Sequence, residues 1–95
     1  MILGKVVGTV VSSSKNINIE GASFLLVEKC NQYGGKKGDY LVALDLIGAG
    51  NNELVMISES TSARETPLTI NKPIDAVIVG IIDLISENKK VSYKK

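Results

Sequence analysis

Ninety-five residues with a mass of 10.1 kDa limit the chain to one small domain, and area scaling has a monomer of that size burying only about two thirds of its unfolded surface. Eleven Lys and Arg oppose ten Asp and Glu, a net charge of +1 that gives no field to draw in a polyanion or to hold an anionic membrane. The 44% hydrophobic content is almost entirely aliphatic, since only Phe24, Tyr33, Tyr40 and Tyr93 are aromatic, which argues against intrinsic disorder and against a base-stacking surface.

The first strand is expected over residues 2–11. Val6, Val7, Val10 and Val11 favour extended backbone there, while Gly4 and Gly8 weaken a helix and mark the bends of a small barrel. This opening carries Lys5 and lacks a charged start and a small-residue cleavage site, so the chain is expected to stay in the cytoplasm. Residues 12–21 are polar and read as a loop. A second strand over residues 24–30 ends at Cys30, the sole cysteine. It leaves no internal disulfide, fits a reducing compartment, and reads as a small buried hydrophobe rather than a nucleophile, because no histidine is present to serve as its base.

Residues 31–39 contain Gly34, Gly35 and Gly38 among charged side chains and are expected to form an exposed, mobile loop. A third strand over residues 40–47 meets the turn Gly48-Ala49-Gly50-Asn51-Asn52, expected as a β-hairpin connection to a fourth strand over residues 53–58. Ser62-Ala63-Arg64-Glu65 matches a capping box, and Pro67 limits the helix it starts to about one turn. After Pro73 comes the longest strand, residues 74–85, with Gly80 as a bend. It is shorter than the roughly 20 residues a helix needs to span a bilayer. Lys89, Lys90, Lys94 and Lys95 then form a basic, solvated tail.

These elements predict an all-β fold: a five-stranded, OB-like closed barrel with one short helix over residues 1–86, followed by the tail at 87–95. Closure accounts for near-continuous apolar runs such as residues 76–82, which need cover on more than one side.

Motifs for chemistry are weak. Gly48-Ala49-Gly50 follows a strand as a dinucleotide fingerprint does, but Glu53 stands at the third small position and the next segment is a strand. Gly34-Gly35-Lys36-Lys37-Gly38 lacks the Gly-Lys-Ser/Thr ending of a phosphate loop. The acids Asp39, Asp45, Asp75 and Asp83 are scattered, so no metal and no cofactor is expected. Asp45 and Asp83 lie inside apolar runs and are the acid-base candidates, each more simply read as facing solvent or pairing with a cation across a subunit contact. Arg64 is the one arginine, and its planar fork suits a hydrogen-bonded interface.

Four separated motifs occur in order: Met-Ile-Leu-Gly-Lys-Val-Val-Gly-Thr-Val-Val-Ser at the start, Leu-Val-Ala-Leu-Asp-Leu-Ile-Gly-Ala-Gly at 41–50, Ser62-Ala63-Arg64, and Asp75-Ala76-Val77-Ile78-Val79-Gly80-Ile81-Ile82-Asp83. Together they resemble the EutN/CcmL family of bacterial microcompartment shell proteins. The resemblance implies a cyclic homopentamer that caps the fivefold corners of the shell, without enzymatic activity, its partners being itself and hexameric shell proteins. By the same resemblance Gly48, Gly50 and Glu53, with Ser62 and Arg64, are carried over as subunit-interface residues, and the 31–39 loop is the expected contact with hexamers. Family members often have glycine where Asn52 and Glu59 stand. The alternative reading is an OB-fold module for single-stranded nucleic acid, against which the charge balance and the few aromatics weigh.

Overall fold

In a computed structural model, which describes residues 1–11, 23–59 and 76–95, five strands close into a barrel. They are β1 (Ile2–Val10), β2 (Ser23–Cys30), β3 (Lys36–Asp45), β4 (Leu54–Glu59) and β5 (Ala76–Ile81). Their order around the barrel is β1-β2-β3-β5-β4, with β4 returning to β1, and every pairing is antiparallel except β3 with β5. This is the five-stranded OB-like topology expected from the apolar runs. A separate two-stranded ribbon follows, β6 (Leu84–Glu87) with β7 (Lys90–Lys94). The expected helix, with Ser62, Arg64 and Pro67, lies outside the described residues.

Alternation places Val6, Leu25, Val27, Ala43, Val55, Ile57, Ala76 and Ile78 inside the barrel, where all are buried. β-branched side chains dominate this set, which is why the strands hold their extended form: Val and Ile lose little rotamer freedom in a pleated surface. Gly4 faces the same interior and keeps it dense, because a Cβ there would overlap the Val27 side chain and meet Ile57 Cδ1 at 3.1 Å. The bends fall near the expected glycines. The β1–β2 register shifts between Val6 and Gly8, and the β4–β5 register shifts where Met56 faces Gly80.

Four features differ from the sequence reading. β3 begins at Lys36 rather than at residue 40, so the last four residues of the expected loop are strand. The β2–β3 ladder continues to Cys30↔Lys36, and Glu28, buried, accepts a bond from the Gly38 amide at 3.1 Å across the irregular register. The remaining connection, residues 31–35, is tied by Asn31, whose Oδ1 accepts the amides of Tyr33 and Gly35 at 2.9 Å each.

The turn after β3 is not a hairpin. β5 inserts between β3 and β4 and runs parallel to β3 through Leu44↔Val77 and Asp45↔Ile78, so the chain crosses the end of the barrel to reach β4. Finally, the long strand expected over 74–85 is divided. The Ile82 amide bonds to the Leu54 carbonyl at 2.8 Å, closing the barrel, and the chain then turns away into β6.

Residues 87–95, expected as a solvated tail, are largely strand β7 and the turn before it. Asn88 and Lys89 form that turn with φ of 53° and 66°, the left-handed pair that matches the twist of a two-residue hairpin. The ribbon packs on the barrel through Ile85 and Tyr93, which lie against a second buried cluster of Cys30, Leu54 and Ile82. Cys30 is thus enclosed, and burial pushes its thiol above the ordinary value despite the nearby cations Lys5 and Lys37. That is the environment of a packing residue rather than of a reactive thiolate.

Candidate functional site

The residues singled out near 48–53 form one turn, and Asp45 organises it. Asp45 is buried at the end of β3; its Oδ1 accepts the amides of Ile47 and Gly48 at 3.1 Å each, and its Oδ2 accepts the amide of Ala49 at 3.0 Å. A side-chain carboxyl receiving three amides substitutes for the strand partners that the chain loses as it leaves the sheet. With both oxygens engaged by backbone and the side chain buried, Asp45 is a structural cap rather than a solvent-facing acid.

Gly48 has a φ of 82°, and among the described residues nothing lies within 4 Å of where its Cβ would be, so glycine is favoured there by the dihedral angle rather than by space. Gly50 and Glu53 then close the turn reciprocally: the Gly50 amide donates to Glu53 Oε1, and the Glu53 amide donates to the Gly50 carbonyl at 3.2 Å. Asn52, where relatives were expected to carry glycine, has a φ of 67°. Asparagine is among the few residues with a side chain that adopt this conformation readily. Its amide donates to the Val6 carbonyl at 2.8 Å, and the Val6 amide donates to the Glu53 carbonyl at 3.0 Å, stitching the turn to β1.

Glu53 also reaches the far end of the chain. Lys95 Nζ lies 2.6 Å from its Oε2 and 3.8 Å from Asp83 Oδ1, while the Lys95 amide donates to the Asp83 carbonyl at 2.9 Å. Asp83 itself is exposed and holds no site. The hydrogen bond from Lys95, then that from the Gly50 amide, hold the Glu53 carboxyl below its ordinary value, and Glu53 raises Lys95 above its own.

The signs of these two shifts define two pH edges. The Glu53 contribution to folding is fully present above the ordinary carboxyl value of about 4.3 and is lost as pH falls through the lowered folded value. The Lys95 contribution is present below about 10.4 and is lost as pH rises through the raised folded value. Replacing Lys95 by Ala is expected to move the Glu53 titration midpoint upward without fully restoring it, because the Gly50 amide remains. Carbon-13 NMR of the Glu53 side chain measures this, and an unmoved midpoint would show that the ion pair does not form.

The structure therefore brings Gly48, Gly50 and Glu53 together, with Gly48 exposed and the other two half-buried. Ser62 and Arg64 lie outside the described residues. The sequence reading missed the three-amide role of Asp45, although an Asp followed three residues later by Gly is a recognisable turn signal. Nothing local marks Lys95, which is 42 positions from its partner. Among the described residues no group of three or more His, Cys, Asp or Glu side chains could hold a metal ion.

Residues 1–83 match the family model described as ethanolamine utilisation protein EutN/carboxysome. The chain belongs to the EutN/CcmL family. It is 40% identical to the carboxysome shell vertex protein CcmL of Gloeobacter violaceus, over all of this chain and 95% of that one. It is 42% identical to the bacterial microcompartment shell vertex protein GrpN of Rhodospirillum rubrum, over 90% of this chain and 96% of that one. The structure of the Gloeobacter CcmL superposes with a TM-score of 0.92, covering 100% of this chain and 98% of that one. The pentameric shell protein GrpN superposes with a TM-score of 0.80 at 41% identity, covering 92% and 99%. This EutN/CcmL chain thus has the barrel of the shell vertex proteins, and its β6–β7 ribbon lies beyond the segment that the family model matches.

Proposed function

We propose that this EutN/CcmL-family chain is a structural protein that assembles as a cyclic homopentamer and caps the fivefold corners of a bacterial microcompartment shell. The observation that carries this reading is the full-length similarity to shell vertex proteins at about 40% identity, together with the likeness to a solved pentameric relative. A shell tiled by flat hexagonal units cannot close. A unit with fivefold symmetry introduces the curvature at which facets meet and fills the corner. Such a ring needs a heterologous contact, in which one patch of a protomer meets a different patch of the next.

The isolated protomer suits that role. It leaves Tyr40, Val42, Ile47, Met56 and Val79 exposed on and beside the barrel strands, apolar surface that a neighbour would cover. The reading has no catalytic step, and Asp45, the most enclosed of the acid-base candidates, is already engaged by three amides. Contact with hexameric units falls to the 31–39 segment, and the shell lies in the cytoplasm.

Native mass spectrometry tests the assembly: a species of five 10.1 kDa chains is expected at micromolar concentration, and a stable monomer there overturns the reading. Arg64→Ala is expected to lower the five-chain fraction on dilution while the barrel's circular dichroism is retained. An unchanged fraction removes Arg64 from the interface, to which Ser62 and the Gly48–Glu53 turn are assigned with it.

A further inference from the structure

We propose that the β6–β7 ribbon is a strap that lifts from the barrel as a unit while the barrel stays folded, hinged after Ile82 and latched at its other end by Lys95 on Glu53. This motion belongs to a single protomer and is independent of the pentamer reading.

Backbone bonding sets the boundary of the moving part. Among the described residues β6 and β7 pair only with each other, in a sheet separate from the barrel. Their nearest backbone tie to it is the Ile82 amide on the Leu54 carbonyl, after which the Lys95 amide closes the base of the ribbon on the Asp83 carbonyl. Ile82 is buried and Asp83 is exposed, so the chain can pivot between them without moving a core side chain. A two-stranded hairpin alone is marginally stable at best in water. The ribbon therefore depends on what its side chains touch.

Those holds are few. Ile85 and Tyr93 face each other across the ribbon and lie against the cluster of Cys30, Leu54 and Ile82. The Tyr93 ring also passes close to Gly34, where an added Cβ would sit 3.1 Å from its Cδ2. Leu84 and Val91, by contrast, stay 52% and 59% exposed and add little to the docking. The Gln32 side chain meets Glu87 at 3.5 Å in solvent, the outer limit of a hydrogen bond.

Lys95 supplies the remaining tie, with its Nζ 2.6 Å from Glu53 Oε2. Its contact with Asp83 stays within the base of the ribbon, whereas that with Glu53 crosses to the turn capped by Asp45. The latch thus joins a loosely held ribbon to a firmly bonded turn. Few buried contacts and solvent-exposed ladder bonds are the marks of a segment that opens below the cost of global unfolding. Lifting parts Lys95 from Glu53, draws Ile85 and Tyr93 off Leu54 and Ile82, and leaves the barrel ladders whole.

Native-state hydrogen exchange on the full chain, followed by NMR across urea concentrations below the unfolding transition, tests this. Ladder amides of β6 and β7 are expected to exchange about tenfold or more faster than those of β4, which is paired on both edges. Their urea dependence should be smaller, because less surface is exposed. Lys95→Ala should speed ribbon exchange about threefold, the size of an exposed ion pair, and leave β4 unchanged. Lys94→Ala, which removes the neighbouring exposed charge, should change neither. Ile85→Ala should speed ribbon exchange by about tenfold through lost docking contact. A single rate and urea slope for ribbon and barrel overturn the strap, since the two then unfold together. Equal ribbon rates in Lys95→Ala and Lys94→Ala overturn the latch. Ribbon rates that fall as protein concentration rises would assign the protection to a neighbouring chain and overturn the proposal as well.

Discussion

Gly4→Ala is expected to destabilise the protomer by about 3 kcal/mol, the upper part of the usual range for overpacking a core. The added methyl would overlap the Val27 side chain, with Ile57 Cδ1 at 3.1 Å and the Glu28 carbonyl oxygen at 3.4 Å completing the enclosure. Relief is blocked on each side. Val27 and Ile57 are fully buried, and β-branching restricts χ1 of both, so each has little room to yield. Gly8→Ala is the control, because among the described residues its Cβ would meet only Leu26 Cβ at 4.0 Å, and a change within about 0.5 kcal/mol is expected there, as for an ordinary surface substitution. Thermal unfolding at matched protein concentration compares the two, since association also raises the apparent midpoint. Equal losses at the two glycines would mean that backbone freedom, not space, sets the requirement at Gly4.

The second large effect is expected at Asp45. Asp45→Ala leaves the amides of Ile47, Gly48 and Ala49 without their acceptor. A loss of about 3 kcal/mol follows from three part-buried donors, some of which water reaches once the carboxylate is gone. Asp45→Asn keeps one acceptor oxygen but turns an NH₂ toward an N–H donor, so a loss of about 2 kcal/mol is expected, between wild type and alanine. Hydrogen exchange at the Ala49 amide reports the local event: it should accelerate in both variants, more in alanine. Unchanged protection there would show that the turn holds without its cap. Because Gly48, Gly50 and Glu53 depend on the same turn, Asp45→Ala should also lower the five-chain fraction beyond what unfolding alone removes.

The barrel was legible because its strands are written in β-branched residues between polar or glycine-rich breaks, and the inward set is a simple alternation. Gly8 and Gly80 marked bends for the same reason, since a missing side chain weakens a strand and invites a register shift. Cys30 read correctly as a packing residue from its apolar run and the absence of a histidine to serve as its base. The turn residues near 48–53 were found, but through glycines and an acid, without the carboxylate that organises them.

Other features had no local signature. The early start of β3 depends on Glu28 reaching Gly38, so a stretch of lysines and glycines that looks like a loop is held as strand by a side chain on its neighbour. The β6–β7 turn uses Asn88 and Lys89 in left-handed backbone, without the glycine that usually betrays such a turn. Lysine content made the segment resemble a tail, while Ile85 and Tyr93 were anchoring it to the buried side of the barrel.

By itself the chain's order of residues determined strand content, closure into a small barrel, the buried thiol and the family, because each depends on periodicity, side-chain shape or a run of contiguous motifs. Only the tertiary structure decided that β5 separates β3 from β4, that Asp45 caps three amides, and that Lys95 reaches Glu53. These are matters of which distant segments meet in space, and no pattern of neighbouring residues encodes a contact made across 42 positions.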